Sequence, residues 1–177
     1  LSYPTGKINS KVFIEDSLYN RDSPVSPGCA IFRMADLQEN IMCTIPNKVN
    51  SDFASHAIGN DLLVFLLTAK DYDKIAAVRE VLSLFRDHPG SISTAAGGAR
   101  LAMLYSLAKA YFVENYYQHE KSNFASFLKY LLIRFPGADQ GQFSSTEVFF
   151  QNPPRLNKRF FAMLIVGKLL RRLGLSN

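Results

Sequence analysis

The chain contains no tryptophan, two cysteines and three histidines, and no acidic residue between Pro153 and Arg172. Cys29 and Cys43 stand alone, without the close-spaced pairs or histidine neighbours of a zinc site, so no metal is expected. Both lie in apolar surroundings, Cys-Ala-Ile-Phe and Ile-Met-Cys-Thr-Ile. Free cysteine behaves as a small hydrophobe, so a reduced, buried pair is expected, in an intracellular compartment or inside a particle. The longest apolar run, from Phe160 to Val166, has seven residues. A membrane-spanning helix needs about 20, and no transmembrane segment is expected.

Catalytic signatures are equally scarce. His56 follows Asp52 by four residues on a helical pattern, His88 precedes Pro89, and His119 sits in a polar Gln-His-Glu-Lys turn. None has the serine, cysteine or carboxylate spacing of a known catalytic motif. Gly97-Gly98 is neither preceded by a strand pattern nor followed by lysine with serine or threonine, as a phosphate-cradling loop requires. Two readings remain there: a simple anion site with Arg100 beside free amides, or glycines that let two helices approach closely. Carboxylate pairs such as Glu15-Asp16 and Asp71 with Asp73 are adjacent or at helix starts, where the helix dipole favours acids. No catalytic residue and no cofactor are expected, and the reading leans toward a non-enzymatic protein, with the enzymatic alternative left open.

What the chain does have is a basic end. Residues 136–177 hold six basic and two acidic side chains, whereas the first 135 hold fourteen and thirteen. Local basicity of this kind attracts an anionic partner. Arg155, Lys158 and Arg159 precede the apolar run, and Lys168, Arg171 and Arg172 follow it. At about 100° per residue the two triplets fall on opposite sides of a helix, with apolar residues at nearly all azimuths between them. A helix of that kind is expected to be buried through its middle rather than laid flat on lipid. Its ends would then offer two positive clusters about 20 Å apart. These six residues, together with Arg100, are the candidate nucleic-acid or anion contacts. Tyr116 and Tyr117, near Lys109 and Lys121, are candidate stacking residues, because single strands are held by phosphate neutralisation and base stacking.

The fold expected is a mainly α, single-domain bundle of about five helices. Residues 1–50 read as an N-terminal arm or short β-hairpin region, in which residues 29–34 and 40–45 could pair. Residues 51–177 read as the bundle core. Ser51 is a candidate cap for a helix to Ala69 whose half from Leu62 to Leu67 is apolar all round. Asp71 is a candidate cap for a helix through Ile75, Val78, Leu82 and Phe85. Further helices are expected from about Thr94 to Gln118, from Ser122 to Phe135, and onward from Pro153-Pro154. Between the last two, Val148-Phe149-Phe150 is expected either to fold back into the core or to dock a partner.

These features point to an assembly or scaffold subunit, resembling a coat or nucleocapsid protein in kind, that binds an anionic polymer and most plausibly nucleic acid. Self-association or other protein partners are expected. The alternatives are a helical docking module with a basic rim and an enzyme without a recognisable motif.

Overall fold

The computed structural model describes residues 3–22, 27–84, 97–136 and 141–174. Among them are seven α-helices and two short strands, a mainly α fold. In chain order these are β1 (Gly6–Asn9), α1 (Ser10–Leu18), α2 (Met34–Asn40), α3 (Phe53–His56), α4 (Asn60–Ala69), β2 (Lys74–Ala77), α5 (Gly98–Tyr116), α6 (Lys121–Arg134) and α7 (Lys158–Arg172). The packing runs as a series: α1 and α2 lie on α4, α4 on α5, α5 on α6, and α6 on α7.

The expected run of apolar residues in α4 is the centre of this series. Leu62 through Leu67 are all buried, as a helix apolar on every side requires. The helix does not extend back to Ser51, however. Ala57 and Gly59 adopt left-handed conformations, with φ of 53° and 99°, and divide α3 from α4. A β-carbon on Gly59 would stand 3.1 Å from the Ala108 β-carbon and 3.3 Å from the Leu104 carbonyl. Glycine is thus required twice over, for its conformation and for the approach of α5.

Three other expectations are corrected. Residues 29–34 and 40–45 do not pair; Met34–Asn40 forms α2, and the strands that do pair are β1 and β2, antiparallel with Ile8 opposite Ile75. The pattern from Asp71 to Leu84 forms no helix among its described residues. Lys74 to Ala77 alternates exposed and half-buried side chains, a period-two pattern hidden inside the three- and four-residue spacing; Phe85 lies outside the described residues. Gly97 and Gly98 do not bring helices together either, since a β-carbon on either would meet nothing within 4 Å.

Helix α1 was unforeseen. Asn9 caps it by accepting from the Lys11 amide at 2.8 Å, and Phe13, Ile14 and Leu18 enter the same core as α4 and α5. Phe149, which ends a short 3-10 turn at Thr146–Phe149, and Phe150 just after it are also core residues, and Phe143 stacks on Phe149 at 5.2 Å. Glu114 holds that segment by accepting from the Gln151 and Asn152 amides, both at 2.8 Å. Cys29 and Cys43 are exposed, not buried, and no disulfide joins them. No helix among the described residues is long and apolar enough to cross a membrane.

Gly59→Ala is expected to destabilise the fold by roughly 2–3 kcal/mol, combining backbone strain with overpacking. Gly141 shares the positive φ, at 96°, but has nothing within 4 Å of a β-carbon position. Gly141→Ala should therefore cost about 1 kcal/mol, and urea denaturation of the two variants measures the difference.

Candidate functional site

The basic helix α7 is where the structure departs furthest from the buried strut expected. None of its residues is buried. Phe160, Phe161, Leu164 and Ile165 pack half-buried against the core, while Val166, Leu169 and Leu170 face outward. The reason is that α6 is its one large neighbour, so α7 closes the series as a surface helix. Its start lies beyond Pro153-Pro154, because Asn157 supplies the cap: its side-chain oxygen accepts from the Arg159 and Phe160 amides at 3.1 and 3.2 Å.

Between α7, α6 and the end of α1 the surface opens into a groove of about 510 Å³. Phe127 and Tyr130 of α6 are buried at its base, joined by Tyr19 and Phe160. Tyr19 lies 5.4 Å from both the Phe127 and the Phe160 rings. Three arginines line the same groove, Arg21 after α1, Arg134 at the end of α6 and Arg171 at the end of α7. Lys168 stands 5.6 Å over the Tyr130 ring, and Arg21 5.3 Å over Tyr19. Arg21 is shared with Asp16 at 3.5 Å, whereas Arg134 and Arg171 form no ion pair among the described residues.

A chain of polar contacts fixes the groove walls. The Tyr19 hydroxyl donates to Glu120, and burial, followed by that bond, drives its pKa far above the phenol range. Asn123 donates to Glu120 at 3.1 Å, and Asn157 donates to Asn123 at 2.8 Å. Ser126 in turn donates to the Asn157 carbonyl at 3.1 Å. The residue that caps α7 is thereby tied through α6 to the aromatic ring on which the groove is centred.

Behind this wall lies Lys109, a lysine 3% exposed in the middle of α5. Its ammonium donates to Asn20 and, at 3.4 Å, to the Leu18 carbonyl at the end of α1. Burial pushes its pKa down to about 7. Read in sequence as a basic residue near the candidate stacking tyrosines, Lys109 is a core residue, as its neighbours Ala108, Ala110 and Phe112 are.

The structure separates the other candidates. Arg171 lines the groove, and Lys168 lies over the ring of Tyr130, one of the groove's residues. Arg155, Lys158 and Arg159 are exposed before and at the start of α7, and Arg172 is exposed at its end. Arg100 lies at the start of α5 beside His56 and lines no part of the groove. Tyr116 and Tyr117 lie at the far end of α5, where Phe112 stacks on Tyr117 at 5.9 Å. Sequence reasoning missed Arg21 and Tyr19 as groove residues; the one available signal was Asn20, a residue that tolerates the left-handed turn ending a helix.

His56 meets Ser51 at 2.7 Å between Nε2 and Oγ, a spacing that invites comparison with a nucleophile and its base. The Ile58 amide donates to Nδ1 at 3.0 Å, so in the neutral ring the proton sits on Nε2 and is donated to Ser51. Burial, then the Arg100 charge, holds the His56 pKa below its usual value. The pair closes a turn and cannot take a proton from Ser51 in this arrangement. No group of three or more histidine, cysteine or acidic residues among the described residues is placed to hold a metal. Compared with protein-family models, curated proteins and solved structures, the chain matches none.

Lys109 gives the fold a pH dependence of known sign. Below about pH 7 the folded and unfolded chains both hold the proton, and folding bears the full cost of a buried cation. Between about 7 and the unfolded value of 10.5, the unfolded chain keeps a proton that the folded chain has lost, so stability rises with pH. Urea unfolding should show the protein more stable at about pH 9 than at about pH 7, and Lys109→Met should remove that difference. The same pH dependence in the variant would place the titrating group elsewhere.

Proposed function

We propose that this protein is a non-enzymatic assembly subunit that binds an anionic polymer, a single strand of nucleic acid, in the groove between α6, α7 and the end of α1. The observation that carries this reading is the convergence of Arg21, Arg134 and Arg171 on one groove with an aromatic base. Arginine pairs with phosphate through a planar fork of donors, and aromatic faces accept bases without regard to sequence. Arg134 and Arg171, with no carboxylate of their own among the described residues, have their donors available to a ligand. Lys168, Arg172 and the cluster from Arg155 to Arg159 add positive charge on the same helix and its approach.

Self-association has its own support. Large apolar side chains are exposed on the segment after β2, where Val81 and Leu84 are 81% and 91% exposed, and on the outer face of α7. Exposed apolar clusters of this kind mark contact surfaces.

Arg134→Ala with Arg171→Ala is expected to weaken single-strand binding, measured by fluorescence anisotropy over a range of salt concentrations. For each phosphate contact removed, the slope of log affinity against log salt should fall in magnitude by about 0.7. Binding that is insensitive to salt, or unchanged in the double variant, would overturn the reading.

A second reading, a helical docking module, is favoured by one specific observation. Val166, Leu170 and Leu173, outside the groove lining, are all exposed and recur at intervals of four and three residues. That is the spacing of the seam along which two helices pair. Val166→Asp with Leu170→Asp should abolish concentration-dependent association in analytical ultracentrifugation while leaving strand binding intact. A wild-type chain that stays monomeric at every accessible concentration would remove pairing between copies through this face.

A further inference from the structure

A second cleft, of about 500 Å³, opens at the opposite end of α1, where the start of that helix meets the turn between α4 and β2 and the end of α5. Strand pairing sets Lys74 opposite Asn9, and the Ser10 amide donates to the Asp73 carbonyl at 3.1 Å. The nine-residue helix α1 thus begins directly against a lysine-bearing turn. A helix start favours negative charge, but Asn9 already occupies the Lys11 amide. Recognition therefore falls to side chains.

Those side chains are of three kinds. Lys74 makes no ion pair among the described residues, and Lys11 only approaches Glu15 at 4.0 Å. Lys70, by contrast, is committed to Asp71 at 2.7 Å and lies 5.3 Å over the Tyr116 ring. Ser10, in the cleft wall, is 3% exposed, and its hydroxyl has no hydrogen-bond partner among the described residues. A buried hydroxyl left without a partner costs free energy that an acceptor on a ligand would recover. At the other side of the cleft, His119 packs 4.1 Å from Tyr117, and Tyr116 is 45% exposed, so flat rings border the space. Asp73 also lines the cleft. A carboxylate there disfavours a bare polyanion and suits a ligand that brings hydroxyl donors beside its negative group.

We propose that this cleft binds a ribonucleoside monophosphate, its phosphate held by Lys11, Lys74 and the Ser10 hydroxyl, its base against Tyr116 and His119, and its ribose toward Asp73. The site is separate from the groove between α6 and α7 and does not rest on the function proposed for that groove.

Isothermal titration of the full chain with adenosine monophosphate, adenosine and inorganic phosphate tests it. Adenosine monophosphate should bind, and each of the two fragments should bind at least about tenfold more weakly, since each forfeits either charged hydrogen bonds or ring contacts. Lys11→Ala with Lys74→Ala should lower its affinity by about tenfold or more, and Ser10→Ala should lower it by a smaller factor. Both lysines are exposed, so the double variant should keep the melting temperature of the wild type. Arg134→Ala with Arg171→Ala should bind the nucleotide as the wild type does, which separates this site from the groove. Absence of binding, equal binding by the lysine variant, or loss confined to the arginine variant would each overturn the proposal.

Discussion

The ammonium of Lys109 reaches the C-terminal end of α1 and holds there the turn on which the groove depends. The last carbonyls of a helix have no partner within it, and the end of the helix dipole is negative. A donor from α5 to the Leu18 carbonyl answers both conditions, and the bond to Asn20 holds that residue in its left-handed conformation. The turn so fixed presents Tyr19 to the Phe127 and Phe160 rings and to Glu120, and turns Arg21 toward the groove. From Glu120 the contacts pass through Asn123 to Asn157, the cap of α7. The position of the basic helix is therefore set by a buried lysine two layers away.

The same helix α1 separates two basic concavities. Its last turn borders the groove and its first turn borders the second cleft. Leu18 lies beside Lys109, and Ser10 shares a cleft with Tyr117, so α1 and this stretch of α5 run in opposite senses. From Ser10 to Leu18 the rise is about 12 Å, and from Lys109 to Tyr116 about 10 Å, which makes the match of the two segments geometrically consistent. Neither concavity is dominated by C-terminal residues. Arg21, Lys11 and Lys74 come from the nearly neutral first part of the chain, where acids and bases balance in number but not in space.

Legibility followed periodicity. The apolar segment from Leu62 to Leu67 and the spaced residues of α5 and α6 declared their helices, because a stripe that packs on a core repeats at the helical period. The break at Ala57 and Gly59 had no such signal, since it depends on how closely α5 approaches. In the stretch from Asp71 to Leu84, apolar spacing suited a helix, but pairing with β1, far away in sequence, decided the outcome for Lys74 to Ala77. The basic end was visible as composition, yet whether its apolar run would be buried or half-exposed depended on whether another layer covered α7. Of the candidate contacts, Lys168 and Arg171 were identifiable from charge alone. Arg21 and the buried role of Lys109 were not, because both come from elements that meet only in three dimensions.

The two surfaces of α7 bear on assembly together. Phe160, Met163 and Leu164 face the groove, where a strand would lie, while Val166, Leu170 and Leu173 form an outer seam. That seam is little more than one heptad long, and so short a helical contact is weak between free molecules. On a polymer the situation changes. Neighbouring copies held on one strand meet at effective concentrations that can reach the millimolar range, where a weak contact becomes populated without any new interaction. On the assembly reading, a seam that associates free copies only at high concentration is what allows the polymer to decide when copies come together in dilute solution.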